Sequence, residues 1–162
     1  MDGSPIERAK AKALRLLSAR PRTEAEIRDR LARAGLGPEA GAVADWLRAL
    51  GYLDDEAYAR DRARRLLSPG GLGPRLAEAR LAAAGVAPEL ARRAVEEALG
   101  GPGGSAEVER CRWLAARRAP GPVAELGERE RARLARFLLG RGFSGAAVSA
   151  AVGALVDDEG GR

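Results

Sequence analysis

Apolar residues recur along this chain at intervals of three and four, and Gly and Pro cut the pattern into segments of helical length. Ser4-Pro5-Ile6-Glu7 opens the first segment. The serine can cap, the proline suits the first helical position, and the glutamate completes a capping box. Ala13, Leu14, Leu16 and Leu17 supply its apolar face. Thr23-Glu24-Ala25-Glu26 opens a second helix with the same box; Ile27, Leu31 and Ala34 form its stripe, and Gly35 ends it in a left-handed conformation. Pro38 opens a third, with Val43, Trp46, Leu47 and Leu50 at a spacing near 3.6.

The same triple then recurs. Asp54 or Asp55 caps a fourth helix running to about Leu67, with Tyr58, Ala59, Ala63, Leu66 and Leu67 on its buried face. Pro74 opens a fifth that ends at Gly85, and Pro88 opens a sixth carrying Leu90, Ala94, Val95, Ala98 and Leu99. After the break at Gly100-Gly101-Pro102-Gly103-Gly104, Ser105 caps a seventh helix with the stripe Val108, Cys111 and Leu114. An eighth runs from about Gly127 to Gly140, and a ninth begins near Ser144 with Val148, Val152 and Leu155. One turn marks the repeat. Leu31 to Gly35-Leu36, Leu81 to Gly85-Val86 and Leu138 to Gly142-Phe143 each place a helix leucine four positions before a glycine that an apolar residue follows. The glycine supplies the positive φ that stops a helix, and the next residue folds back onto it. The expectation is an all-α chain of tandem three-helix repeats: residues 4–50, 51–99 and 105–157, a Gly-rich linker at 100–104 and a tail at 158–162.

Composition supports helices. Aromatic residues are only 4% of the 162, so the core rests on Leu, Ala and Val, which suits closely packed helices better than a sheet. The absence of His removes Ser-His-Asp and Cys-His catalysis and His-ligated zinc. Cys111 stands alone at helical spacing and reads as a small core residue. No catalytic group, cofactor or metal is expected. Asp54-Asp55-Glu56 resembles a metal cluster, but carboxylates at a helix start cap N–H groups and favour the dipole, and that reading is preferred. The Gly100–Gly104 stretch lacks the Lys-Ser/Thr of a phosphate loop. No signal-peptide region or membrane-length apolar run is seen, so a cytoplasmic protein is expected. The net charge of +5, nearly all from Arg, favours acidic partners such as nucleic acid or an acidic protein surface. Trp46 and Trp113 read as core or inter-helix residues, with a partner hot spot as the other reading.

Several segments together resemble the RecX family of regulatory proteins: Gly51-Tyr52-Leu53-Asp54-Asp55-Glu56-Ala57-Tyr58-Ala59, the Gly71-Leu72-Gly73-Pro74 turn, the Leu81 to Val86 turn, and Phe137-Leu138-Leu139-Gly140-Arg141-Gly142-Phe143. Ala13 to Arg20 with Thr23 to Ile27 also fits, so the resemblance spans about Ala9 to Leu155. The lengthened Leu67-Ser68-Pro69-Gly70 and the Pro/Gly-containing link from Ala119 to Gly127 depart from the family pattern. The resemblance implies an elongated, curved, right-handed array of three-helix repeats. It also implies a regulator that binds the RecA filament on single-stranded DNA and inhibits ATP hydrolysis and strand exchange; a non-catalytic monomer is expected, with single- or double-stranded DNA as a further partner. The expected contact residues are arginines off the apolar stripes: Arg60, Arg64 and Arg65 on the fourth helix, Arg92 and Arg93 on the sixth, Arg110 and Arg117 on the seventh, and Arg133 and Arg136 on the eighth. The rival is a helical nucleic-acid-binding module acting without RecA.

Overall fold

The computed structural model describes residues 3–101 and 104–153. Among them all regular structure is helical: α1 (Pro5–Ala19), α2 (Glu24–Ala32), α3 (Ala40–Ala49), α4 (Asp55–Leu66), α5 (Pro74–Ala83), α6 (Pro88–Ala98), α7 (Gly104–Arg118), α8 (Glu128–Gly140) and α9 (Gly145–Val152), with a short 3-10 turn at Val123–Glu125. Leu155, the tail from 158 and part of the 100–104 linker lie outside the described residues.

The local chemistry sets most helix starts. Ser4 and Thr23 make full capping boxes with Glu7 and Glu26. The Asp54 carboxylate accepts from Ala57 N at 2.9 Å and the Ser144 hydroxyl from Ala147 N at 3.2 Å, each holding a first-turn N–H that no helical carbonyl reaches. Two starts differ from the sequence reading. Pro38 lies in a turn, and α3 begins two residues later behind Glu39, whose side chain makes no cap bond. Ser105 sits inside α7, which already begins at Gly104.

The described residues pack as two units, those within Met1–Arg62 and Arg80–Ala94, and those within Ala63–Ala79 and Val95–Arg162. In the first, Ala9 and Ala13 of α1 pack with Ile27 and Leu31 of α2 and Val43, Ala44 and Leu47 of α3, closed by Leu36 and Leu53. Alanines at the contact let helix axes approach closely, which is how so few aromatics suffice. Leu14, Ala34 and Leu50, expected on apolar stripes, are exposed. In the second unit Cys111 and Ala115 of α7, Leu134, Ala135 and Leu138 of α8, and Ala147, Val148 and Val152 of α9 enclose a core with Leu126 and Phe143.

The recurring turn has one geometry in all three places. Gly35, Gly85 and Gly142 have φ of 73°, 86° and 93°. The following residue returns its N–H to the helix leucine five back: Leu36 to Leu31 at 2.9 Å, Val86 to Leu81 at 3.1 Å, Phe143 to Leu138 at 3.3 Å. Leu36, Val86 and Phe143 are all buried.

Two of these turns are also docked against the start of another helix. In the first unit the Thr23 hydroxyl, fully buried at the head of α2, accepts from Glu26 N at 3.1 Å and donates to the Ala84 carbonyl at 2.5 Å. A Cβ at Gly85 would stand 2.3 Å from the Ala25 Cβ. In the second unit Gly73 N donates to the Arg141 carbonyl at 2.7 Å and Arg75 N to the Gly142 carbonyl at 3.0 Å. A Cβ at Gly142 would lie 2.4 Å from the Leu76 Cβ and 2.5 Å from its N, and one at Gly73 would lie 2.4 Å from the Gly142 carbonyl carbon. At Gly35 a Cβ would meet nothing within 4 Å.

This separates two effects of glycine. Gly35→Ala should lose only the left-handed preference, roughly 1–2 kcal/mol. Gly85→Ala and Gly142→Ala add overpacking at the joint and should lose roughly 2–5 kcal/mol in total. Urea midpoints of the three variants measure the difference; equal losses would show that docking adds nothing. Thr23→Val should cost roughly 2–4 kcal/mol in the same assay, because the Glu26 N–H and the Ala84 carbonyl both lose their partner.

Candidate partner-binding surface

Acidic residues hold many of the basic side chains of the first unit in place. Arg20 pairs with Glu26 at 2.8 Å, Arg28 with Glu24 at 2.8 Å and Arg33 with Asp29 at 3.0 Å, while Arg48 bridges Glu24 and Asp45. Partial burial pushes the Glu24 and Glu26 carboxyls up, but their arginine partners outweigh it and hold both below the usual carboxylate range.

The nine arginines expected at the surface divide by what they touch. Arg60 and Arg64 lie on α4, each about 3.9 Å from a glutamate, Glu56 and Glu97 respectively, and Arg65 is exposed on the same helix. Arg92 and Arg93 are exposed on α6, Arg92 pairing with Glu89. Arg117 is exposed on α7, with its guanidinium 5.0 Å from the centre of the Trp113 ring. Arg133 and Arg136 are exposed on α8. Arg110 is set differently: it is half-buried, and its guanidinium donates to the Leu67 carbonyl. That bond ties the end of one helix to the flank of another, so Arg110 supports the second unit from within.

Three features escaped the sequence reading. Arg141 donates from Nη2 to the Gly70 and Gly71 carbonyls, both at 2.8 Å, pinning the 68–72 loop to the Arg-Gly-Phe turn. Trp113 is 44% exposed and outside the core; its position off the Cys111–Ala115 stripe was the available signal. Trp46 does lie partly buried against the first core, with Lys10 Nζ 4.7 Å from its ring. The third feature is Asp55. Asp54 caps α4, whereas the Asp55 carboxylate turns to the head of α2 and accepts from Glu24 N at 2.9 Å. The acidic triplet thus serves two helix starts, and among the described residues no group of three or more His, Cys, Asp or Glu is arranged to hold a metal. Tyr52, in the same segment, is 58% exposed.

Beside Trp113 the second unit has a cleft of about 300 Å³, lined by Pro69, Gly70, Leu72, Leu114 and Phe143 with Glu109 and Arg110 at its edge. A second, of about 350 Å³, lies between Arg118, Pro120, Arg133 and Phe137. Cys111 is buried in the core of the second unit; burial, then the Glu107 charge, pushes its thiol up to about 11, so at neutral pH it is a protonated core group. No described helix is long and apolar enough to cross a membrane.

Helices joined by a thrice-recurring glycine turn, docked on another helix start at two of the three places, with arginines on exposed faces, define a helical-repeat protein. Residues 9–44 match the RecX first three-helix domain and residues 105–152 the RecX third three-helix domain. The chain is 37% identical over 139 residues to the regulatory protein RecX of Thermus thermophilus, covering 83% of each. It is 35% identical over 149 residues to that of Syntrophotalea carbinolica, covering 88% of this chain and 93% of the relative. The crystal structure of RecX from Lactobacillus salivarius superposes with a TM-score of 0.79 at 22% identity, over 93% of this chain and 96% of that one, and shares its fold. The chain belongs to the RecX family of regulatory proteins.

The Asp55 arrangement predicts a pH dependence. Burial raises its carboxyl above the usual range; the Glu24 N–H opposes this, and the Glu24 and Asp54 charges reinforce it. The folded chain therefore disfavours the ionised form, a penalty present above the folded pKa and lost as pH falls through it. Asp55→Asn keeps an acceptor for Glu24 N and removes the charge. It should match or exceed the parent in stability at pH 7, with the gain shrinking in acid; denaturation midpoints at pH 7 and pH 3.5 check this.

Proposed function

We propose that this chain is a non-catalytic regulator that binds the RecA recombinase filament on DNA and restrains its ATP hydrolysis and strand exchange. Membership of the RecX family carries this reading, together with relatives that are named regulatory proteins. Its mechanism is geometric. Several helical modules on one chain raise the effective concentration of each for neighbouring protomers, so that weak contacts sum to useful avidity. A regulator held across protomers opposes the motions that ATP turnover and strand exchange require.

The exposed arginines suit such a role. Arg65 on α4, Arg93 on α6, Arg117 on α7 and Arg133 and Arg136 on α8 offer planar donors to carboxylates or phosphates. Arg60 stands 3.9 Å from Glu56, outside close hydrogen-bonding range, so a partner's acid can displace that pair at small loss, and Arg64 lies one turn further along the same helix. Contacts of this kind give affinity and salt sensitivity without base specificity. The chain works as a monomer in the cytoplasm.

Purified chain in stoichiometric excess should lower RecA ATPase and strand exchange on single-stranded DNA. Unchanged rates would end this reading, and tight DNA binding with no RecA contact would favour an independent nucleic-acid module. Arg60→Glu with Arg64→Glu should weaken inhibition by about tenfold, or about 1.4 kcal/mol, at unchanged helicity by circular dichroism; full inhibition by that variant would exclude α4 as a contact strip.

A further inference from the structure

The cleft beside Trp113 has the composition of an anchor pocket. Its walls are apolar, from Pro69, Leu72, Leu114 and Phe143, and its volume of about 300 Å³ suits one large side chain. Trp113 is a large hydrophobe left 44% exposed, in a chain where aromatic residues are scarce. Its ring is held: Arg117 stands over it at 5.0 Å, and Gly70 backs its far edge, where an added Cβ would sit 3.6 Å from Cζ3. The loop that forms one wall is also held, since Arg141 grips the Gly70 and Gly71 carbonyls at 2.8 Å and Leu72 N donates to Leu66 O at 2.7 Å. A cleft with fixed walls loses little conformational freedom when filled.

Arg110 lines the cleft, Arg141 bonds the carbonyls of Gly70 and Gly71 in its wall, and Arg117 stands over the Trp113 ring. Arg110 and Arg141 direct their hydrogen bonds to main-chain carbonyls and Arg117 lies on a ring, so none of these contacts cancels a full charge. Glu109 is the one acidic residue among those lining the cleft.

We propose that this cleft is a docking site for a bulky apolar side chain carried on an acidic protein segment. Apolar walls receive the anchor, and these arginines receive the carboxylates beside it. This goes beyond the RecA reading, since it concerns the chemistry of the bound segment and its test contains no RecA.

Trp46→Phe leaves Trp113 as the sole tryptophan and the reporter. The probe is a blocked peptide with a central Phe flanked on both sides by Asp and Glu. It should shift Trp113 emission to the blue saturably, and Ala for Phe, or Lys for the acidic flanks, should weaken binding at least about tenfold. Pro69→Glu, at an exposed position on the cleft wall, should weaken it equally without loss of helicity. Calorimetry with the parent chain and with Pro69→Glu alone repeats the comparison without the Trp46 change. The proposal is overturned if the peptide produces no response, if the Ala peptide binds as well, or if oligothymidylate gives the same shift and displaces the peptide.

Discussion

A helix leaves its first N–H groups and its last carbonyls without partners inside itself, and this fold answers both needs with one contact. In each unit the C-terminal carbonyls of one helix receive donors from the head of another: Ala84 receives the Thr23 hydroxyl, Arg141 the Gly73 N–H, and Gly142 the Arg75 N–H. The opposed partial charges of the two helix ends add to the attraction. Because the donors and acceptors are mostly main chain, the approach must be close, and glycine is required twice over. At Gly85 and Gly142 it supplies a positive φ, and at those positions and at Gly73 it leaves room that a Cβ would fill. Gly35 has the same backbone shape with open space around it, which shows that the turn and the docking are separate demands.

Much of the architecture was legible for this reason. Capping boxes, prolines and glycine turns act through local chemistry, and local chemistry is written in consecutive residues. Ser4, Thr23, Pro74, Pro88 and Ser144 were readable as helix starts without knowledge of any neighbour. The misreadings came where a local signal competes with a stronger one. Pro38 suits a first helical position, yet the chain makes a turn through it before α3 starts. Leu14 and Leu50 match the helical period but fall at the edge of stripes that Ala9, Ala13 and Leu47 already fill. Hydrophobicity marks candidates for burial, and packing geometry decides among them.

The arginines were the least legible part. Arg110 and Arg117 are both on α7 and both lie off its buried stripe, so periodicity treats them alike. One turns inward to the Leu67 carbonyl and the other lies on an exposed indole. The difference depends on chain 43 residues away for Arg110 and on the neighbouring turn for Arg117. Arg141 likewise reaches a loop some 70 residues earlier in sequence. A long guanidinium samples a wide radius, and its target is a carbonyl that every residue carries, so no residue-type pattern announces the pair.

That division of labour has a consequence for binding. An arginine held by main-chain carbonyls is ordered without being neutralised: its geometry is fixed by bonds to uncharged acceptors while its charge remains for a partner. An arginine paired with a carboxylate, such as Arg28 with Glu24, is ordered and largely compensated at once. In the second unit Arg110 and Arg141 are held in this way, Arg110 in the wall of the Trp113 cleft and Arg141 on the carbonyls of Gly70 and Gly71 beside it. The acids of α2, with Asp45 of α3, present ion pairs that a ligand must first break. For a chain with a net charge of only +5, the placement of its uncompensated arginines matters more for recognition than their number.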